Sequence, residues 1–191
     1  MSGTTATDVV VVGAGTAGCY AAATVAAAGS SVVVLERKSA EDAGHIACGD
    51  ALKGADKFPD AIPKAKIAPA FTNTDVDHGR FEIPKEDTVL DIPVPGELAV
   101  IDRDAFGRLL IEGATVAGAT FAYDTVVQSV IQDADGRVTG VDATHYRHPH
   151  TYTADVVIDA AGTLPILQYT AYFSGSMFDT NVTFQQLCSA Y

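Results

Sequence analysis

The stretch that decides the fold is Asp8-Val9-Val10-Val11-Val12-Gly13-Ala14-Gly15-Thr16-Ala17-Gly18. Its valine run, closed by glycine, predicts a strand buried on both faces. The Ala-rich, proline-free segment 17–28 predicts a helix, and Gly29 stands where a helix C-cap belongs. Residues 31–35 predict a second buried strand. Two strands joined by one helix form a βαβ unit, so the sequence predicts an α/β fold.

Gly13, Gly15 and Gly18 form a G-x-G-x-x-G pattern, and Glu36 ends the second strand 18 residues later. This context indicates a dinucleotide-binding turn. The first glycine permits the tight turn, the second lets a diphosphate approach the backbone, and the third lets the helix pack on the strand. The helix start attracts negative charge. Glu36 is expected to bind ribose hydroxyls. The pattern does not separate FAD from NAD, and the neighbouring Arg37 leaves NADP open.

The remainder of the chain changes character twice. From residue 39 to about 101, prolines and short alternating runs predict an irregular excursion with short strands. A helix is predicted to begin at Asp102 or Asp104 and to end at Gly118, because apolar residues recur at helical spacing between them. The strands expected after this helix are, in order, 120–131, 138–143 and 152–159, with a hairpin turn at 133–136.

Composition narrows the class of protein. The 191 residues correspond to one compact unit, or one and part of another, and 48% hydrophobic residues can fill a core. The 24 acidic and 12 basic residues give a net charge of −12, which opposes nucleic-acid binding. Most of the acidic residues are aspartates, whereas lysine is scarce. This composition suggests a halophilic source. Residues 9–35 are uncharged, but their glycines and serines argue against a membrane helix.

Cysteine and histidine spacing predicts neither a disulfide framework nor a metal site. Three cysteines at long spacings form no Cys-x-x-Cys pair, and a reducing cytosol is the natural compartment. His145, His148 and His150 are interpreted as an exposed hairpin extension, because Pro149 is expected to break the strand ladder and no further ligand stands at a matching spacing.

Four segments carry a resemblance to a known family. They are Gly13–Gly18 with Glu36, Cys48-Gly49-Asp50, Asp102-Arg103-Asp104-Ala105-Phe106, and Asp155–Gly162. With them the sequence resembles the geranylgeranyl reductases, flavoproteins of the p-hydroxybenzoate hydroxylase-like superfamily. The match is most similar to archaeal members that act on digeranylgeranylglycerophospholipids, and it spans most of residues 8–163.

The resemblance implies a fold, a cofactor and a reaction. The fold is a Rossmann-like FAD/NAD(P)-binding domain at 1–163 with an inserted β-meander. Residues 164–191 would begin an incomplete substrate domain, so the chain is expected to be an amino-terminal fragment. The cofactor is FAD, and the reaction is reduction of isoprenoid C=C bonds in archaeal ether lipids. The implied partners are a prenylated lipid and an unknown electron donor, in the cytoplasm or at the inner membrane surface.

The resemblance also assigns residues. The implied cofactor-binding set is Gly13, Gly15, Ala17, Gly18, Glu36, Arg37, Cys48, Gly49, Arg103 and Gly162. Arg103 would lie near the cofactor's phosphates. Cys48 and Gly49 would lie beside the flavin, with Cys48 as a candidate proton donor. Many superfamily members carry an aspartate where this chain has Ala161, and whether Asp159 replaces it is left open.

The residues alone leave alternatives open. Cys48 also fits an ordinary loop position. Arg103 also fits a solvated first-turn residue, although a cation at a helix start is mildly unfavourable. Two further functions remain at this stage: a flavoprotein monooxygenase or hydroxylase of the same superfamily, and an inactive nucleotide-binding fragment.

Overall fold

The computed structural model describes residues 3–45, 51–53, 60–63, 72–83, 88–162 and 170. The helices and strands, in chain order, are β1 Gly3–Val12, α1 Thr16–Ala27, β2 Val32–Leu35, β3 Ala51–Lys53, β4 Thr72–Ile83, β5 Thr88–Ile101, α2 Arg103–Val116, β6 Thr120–Ala122, β7 Thr125–Gln132, β8 Val138–His145 and β9 His148–Asp159. The predicted α/β class is confirmed. Residues 164–191, apart from 170, lie outside the described residues.

The main sheet has six strands in the order β6-β2-β1-β9-β8-β7. Strand β1 lies between β2 and β9 and runs parallel to both, whereas β8 is antiparallel to β9 and to β7. The valines of β1 alternate between two layers. Val9 and Val11 pack with the two helices, and Val10 and Val12 pack with the antiparallel strands. Side chains alternate across a strand, so a run of four valines is what a strand covered on both faces requires.

The two helices pack against each other on one face of the sheet. Helix α1 buries Cys19, Tyr20 and its small neighbours, and helix α2 buries Phe106 and Leu110. The many alanines of α1 allow close approach to the strands beneath it. The chain leaves α1 through Gly29, whose φ of +96° suits a glycine at this position. The start and end predicted for this helix were correct to within one residue.

The single strand predicted over residues 120–131 is wrong. Asp124 has a φ of +50°, and the backbone turns there between β6 and β7. Strand β6 pairs with β2, whereas β7 pairs with β8 at the other end of the strand order. The sheet folds over itself, because buried residues of β7, β8 and β9 share one cluster with residues of β1 and β2. The amide of Thr125 accordingly donates to the carbonyl of Glu36 at 2.9 Å.

Strand β9 is longer than predicted and contains Pro149. The expectation that Pro149 breaks the ladder is wrong, because this residue lies opposite Thr144 in the β8–β9 pair. Proline is tolerated there because β1 begins to pair with β9 only at His150, opposite Gly3. The same long pairing explains why β1 begins at Gly3 rather than at Asp8.

The excursion predicted at 39–101 contains a second sheet, of three antiparallel strands in the order β3-β5-β4. Strands β4 and β5 are 12 and 14 residues long, so the expectation of short strands is wrong. The β4–β5 pairing shifts register twice, between Thr72 and Thr74 and between Val76 and His78. Such bulges let a long ribbon carry prolines and interrupted alternation. Among the described residues, neither helix is long and apolar enough to cross a bilayer.

Candidate functional site

The glycine turn lies where β1 ends against β9 and α1 begins. Gly13 has a φ of +99°, and a Cβ at this position would lie 2.6 Å from the carbonyl oxygen of Ala160. A Cβ on Gly18 would overlap the carbonyl oxygen of Gly13. Any side chain at either position therefore displaces backbone rather than a flexible side chain. The first and third glycines allow the tight turn and the close packing of helix on strand.

The start of α1 has no internal partner for its amides. Gly15 is the N-cap residue, and no side chain caps the helix or places an acid in its first turn. The φ of −74° at Gly15 is accessible to any residue, so the backbone does not demand glycine there. Ala17 in the first turn is exposed. The free N–H groups and the positive end of the helix dipole favour an anion at this point.

Glu36 closes one side of the turn. The residue is 9% exposed; its Oε2 accepts from the amide of Ala14 and its Oε1 from that of Lys38, both at 2.8 Å. These bonds fix the carboxylate against the glycine turn. A carboxylate has about four acceptor positions, so each oxygen keeps a second lone pair for a ligand hydroxyl.

Arg103 brings a positive charge to the start of α1. Its Nη2 donates to Oγ1 of Thr16 at 2.9 Å, and its guanidinium lies 5.3 Å from the ring centroid of Phe106. The Nε atom is buried and has no hydrogen-bond partner among the described residues. A buried donor without a partner costs free energy, about 1–3 kcal/mol, unless a ligand satisfies it. Thr16 was not singled out from the sequence, because a threonine after a glycine turn carries no distinctive signal by itself.

The end of β9 borders the same turn. Asp159 lies opposite Val12 in the β1–β9 pair, and its Oδ1 accepts from the amide of Ala161 at 3.0 Å. Gly162 follows in an exposed position. Asp159 therefore lies opposite the residue that precedes the glycine turn, and its carboxylate also holds the backbone at Ala161.

Cys19 sits behind the glycine turn and is inert. It is fully buried, and its Sγ lies 3.4 Å from the carbonyl oxygen of Ala14. Burial, and next the charge of Glu36, raise the pKa of this thiol to about 12. A thiol that holds its proton this firmly is neither a nucleophile nor a proton donor at neutral pH. Cys19 is therefore a packing residue of the core beneath α1.

Segment 43–45 is docked on helix α2. Gly44 and Gly107 meet backbone to backbone, since a Cβ on Gly107 would overlap the carbonyl oxygen of Gly44. His45 Nδ1 lies 2.5 Å from Oδ1 of Asp104, and Lys38 Nζ donates to the carbonyl of His45. Residues 46–50 follow directly. The predicted flavin-side residues Cys48 and Gly49, with Asp50, lie outside the described residues.

Arg37 and the histidines near the β8–β9 turn are the remaining residues that the sequence singled out, and the assignment of Arg37 to FAD stays a prediction. Arg37 borders a cleft formed with the 145–148 hairpin. His145 pairs with Thr125 at 2.6 Å, and His150 with Thr5 at 2.9 Å, so both imidazoles serve packing within the sheet. In the part of the chain that the structure describes, no group of three or more potential ligands is arranged to hold a metal ion.

A diphosphate with a ribose fits this arrangement. The uncapped helix start and the buried Nε of Arg103 both lack an acceptor, and Glu36 is a fixed acceptor beside them. The fold and the turn thus define a Rossmann-type dinucleotide-binding domain. The family described as FAD binding domain matches residues 6–184, and the chain belongs to that family. The predicted cofactor, FAD, is confirmed as the cofactor of the family.

Curated relatives point in the same direction. Digeranylgeranylglycerophospholipid reductase 2 of Methanopyrus kandleri is 32% identical over 157 residues, which cover 81% of this chain and 37% of that protein. The reductase of the same name from Haloferax volcanii is 32% identical over 169 residues, covering 81% of this chain and 35% of that protein. The chain thus spans little more than a third of the length of these relatives.

Solved structures share the fold. A geranylgeranyl bacteriochlorophyll reductase-like protein from Thermoplasma acidophilum superposes with a TM-score of 0.67 at 26% identity, covering 81% of this chain and 39% of that one. The flavin-dependent monooxygenase PieE, in complex with FAD and substrate, has a TM-score of 0.68 at 18% identity, covering 86% of this chain and 31% of that one. The second likeness shows the fold alone.

Proposed function

We propose that this chain is the FAD-binding part of a flavin-dependent reductase that saturates isoprenoid C=C bonds in archaeal ether lipids. The observation that carries the proposal is the uncapped start of α1, flanked by the fixed carboxylate of Glu36 and the partly buried guanidinium of Arg103. The substrate class is supported by the names of the reductase relatives, at 32% identity over most of this chain.

Each residue of the site has a distinct task in holding the cofactor. The amides after Gly15, including that of Ala17, would bind the diphosphate together with the guanidinium of Arg103. The free lone pairs of Glu36 would accept from the ribose hydroxyls, and Gly13 and Gly18 keep the turn tight enough for both. Gly162 would let the backbone pass beside the cofactor, as the resemblance implies. When bound, FAD supplies the hydride chemistry of the reduction.

The reacting end of the cofactor site rests on the resemblance. Cys48 and Gly49 would line the flavin, and Cys48 would deliver the proton that complements hydride transfer to a C=C bond. The docking of segment 43–45 on α2 supports this placement, because it fixes the chain just before these residues. In the complete enzyme, Cys48→Ala is expected to lower turnover without lowering FAD content. Undiminished turnover would remove Cys48 from the mechanism.

The partners follow from the proposed reaction. A prenylated phospholipid is the substrate, and a separate electron donor must reduce the flavin for each bond saturated. The lipid would bring a cytoplasmic enzyme to the inner membrane surface. The net charge of −12 disfavours any role in nucleic-acid binding.

Flavin binding is the first test. The purified chain, incubated with FAD and desalted, is expected to retain a flavin absorbance spectrum, and Arg103→Met is expected to retain less. Arg108→Met is the matched control, since Arg108 is an exposed residue of the same helix. A colourless wild-type chain that cannot be reconstituted would favour the inactive nucleotide-binding fragment. In the complete enzyme, oxygen-dependent hydroxylation without prenyl reduction would favour a monooxygenase.

A further inference from the structure

A cleft that borders the chain just after Glu36 has no assigned role. It has a volume of about 330 Å³ and is formed between the chain after β2 and the turn that joins β8 to β9. Its lining residues are Arg37, Asp124, Val126, Thr144, Tyr146 and Arg147. The volume falls at the lower end of the range for small-molecule sites, about 300–1,000 Å³. Hydrogen bonds fix its walls: the amide of Asp124 donates to the carbonyl of Lys38, and the amide of Tyr146 to that of Asp124.

The backbone around this cleft is strained. Among the described residues, the non-glycine residues with a positive φ are Asp124, Tyr146 and Arg147, and all three line the cleft. Tyr146 and Arg147 are the two central residues of the β8–β9 turn, with φ of 46° and 67°. Asn-Gly is strongly preferred in such a turn, because both positions are left-handed. Strain of this kind persists where the side chains themselves are needed, typically at ligand sites.

The charges in the cleft are also unusual for this chain. The chain has six arginines and 24 acidic residues, so acidic partners are plentiful. Arg37 and Arg147 nevertheless both border this cleft without an ion pair or a hydrogen bond to any described residue. The neighbouring Lys38, by contrast, is used in the contact with His45. Asp124 is the one acid among the lining residues, so positive charge is in excess. Two guanidinium groups suit a phosphate, whose oxygens they bind in pairs.

Two of the other lining residues, Tyr146 and Val126, are largely apolar and exposed. Tyr146 is 62% exposed and Val126 is 43% exposed, so both present carbon surface at the mouth of the cleft. An exposed aromatic ring beside unpaired guanidinium groups fits a ligand with a flat or apolar part attached to its phosphate. Inorganic phosphate alone would leave this surface uncovered.

We propose that this cleft binds an organic phosphate other than FAD, with the phosphate on Arg37 and Arg147 and the apolar part on Tyr146 and Val126. Arg37 would then bind this ligand rather than the FAD that the family resemblance implies. Two sources share this chemistry: the headgroup region of the phospholipid substrate and the phosphate of a nucleotide electron donor. The choice between these sources rests on the proposed reductase function, whereas the phosphate site does not.

Calorimetric titration of the 191-residue chain tests the site. The probes are dihexanoyl phosphatidylglycerol below its micelle concentration for the lipid source, adenosine 2′-monophosphate for the nucleotide source, and inorganic phosphate. One organic probe is expected to bind more tightly than inorganic phosphate and to identify the source. Arg147→Gln is expected to weaken it by at least about tenfold, equivalent to the loss of about 1.4 kcal/mol. Arg108→Gln, with the same change of charge at an exposed position of α2, is expected to bind it as the wild type does.

The flavin spectrum of the same samples separates this proposal from the cofactor proposal. Arg147→Gln is expected to keep FAD while losing the probe. If the wild type binds the probe but not FAD, the cofactor proposal fails and the phosphate site stands. If no organic probe binds better than inorganic phosphate, if Arg147→Gln binds the probe normally, or if this variant loses FAD, the separate site is refuted.

A second variant tests whether the β8–β9 turn is strained. It also shows whether a loss of probe binding in Arg147→Gln comes from misfolding. The double variant Tyr146→Asn, Arg147→Gly places the preferred residues in the turn and removes both proposed ligand contacts. It is expected to raise the unfolding midpoint by about 2–4 °C, as for a gain of about 1 kcal/mol in a chain of this size, and to abolish probe binding. A lowered midpoint or retained probe binding would overturn the proposal.

Discussion

The two helices of this domain lie side by side, but they begin in opposite ways. Helix α2 is capped by Asp102, whose Oδ1 accepts from the amide of Ala105 at 2.8 Å, and Asp104 adds an acid to its first turn. Helix α1 begins at Gly15 without a side-chain cap or an acid. An amide at the start of α2 is bonded by a side chain of the helix's own cap, whereas the amides at the start of α1 have no side-chain acceptor and would bind the proposed diphosphate. A helix start built for stability and one built for binding are thus distinguishable by their first residues.

The largest effect is expected from Gly18→Ala. The new Cβ would overlap the carbonyl oxygen of Gly13, and backbone rather than a side chain must move. The free energy of unfolding in urea is expected to fall by about 2–4 kcal/mol, with loss of FAD binding. Gly136→Ala is the control, because its Cβ meets nothing within 4 Å and only the positive φ is unfavourable. Equal losses in the two variants would contradict the role of close packing at Gly18.

Gly15→Ala separates binding from folding at the start of α1. Alanine adopts the φ of −74° found there but is a poorer N-cap residue than glycine, so the free energy of unfolding is expected to fall by no more than about 1 kcal/mol. The added methyl group stands where the diphosphate would approach, and the FAD dissociation constant is expected to rise at least about tenfold, or about 1.4 kcal/mol. An unchanged dissociation constant, measured by fluorescence titration, would place the diphosphate elsewhere.

Asp102→Ala makes the reverse change in α2. Loss of the cap is expected to lower the free energy of unfolding by about 1 kcal/mol. FAD affinity is expected to stay within about twofold of the wild type, or about 0.4 kcal/mol, because the Asp102 side chain bonds the amide of Ala105 within α2 and not Arg103 or Thr16. If FAD affinity instead falls as much as in Gly15→Ala, the two helix starts do not have separate tasks.

The smallest effect on stability near neutral pH is expected from the titration of Cys19, which lies near the start of α1. Its pKa is raised from 9.0 to about 12 in the fold, so the folded thiol keeps its proton while the unfolded thiol loses it above pH 9. The free energy of unfolding should therefore be insensitive to this group below pH 9 and fall as the pH rises from 9 toward 12.

Thiol labelling provides the direct measurement. In a Cys48→Ser, Cys188→Ser background, iodoacetamide at pH 8 is expected to leave Cys19 unlabelled in the folded chain and to label it in urea. Rapid labelling of the folded chain would show that the region behind the glycine turn opens readily, contrary to the tight packing inferred for Gly18.

The sequence was sufficient to predict the geometry of the glycine turn because each of its requirements is local. The roles of Gly13 and Gly18 follow from backbone geometry within a few residues, and Glu36 is positioned by the end of a four-residue strand. The contact of Arg103 with Thr16 joins residues that are 87 positions apart, and only packing of the two helices reveals it. The positions of the turn residues could therefore be predicted from the sequence pattern, whereas the partner of Arg103 could be identified only from the fold.

The antiparallel part of the sheet was harder to predict for a physical reason. Apolar alternation continues through Tyr123 and Asp124, so the pattern itself contains no break between β6 and β7. The break comes from the left-handed conformation of Asp124, which the folded-over sheet imposes. Likewise Pro149 is compatible with its strand only because of where β1 starts to pair, a fact that no local pattern contains.

The backbone contact between Gly44 and Gly107 has a consequence for protein engineering. It fastens the chain to α2 immediately before residues 46–50, so a foreign loop grafted after His45 would inherit a fixed point of departure. Chimeras that exchange this loop among flavoproteins should be spliced after the glycine contact and keep both glycines. A splice made before this contact would leave the exchanged loop without a fixed attachment to α2, whatever residues the loop contained.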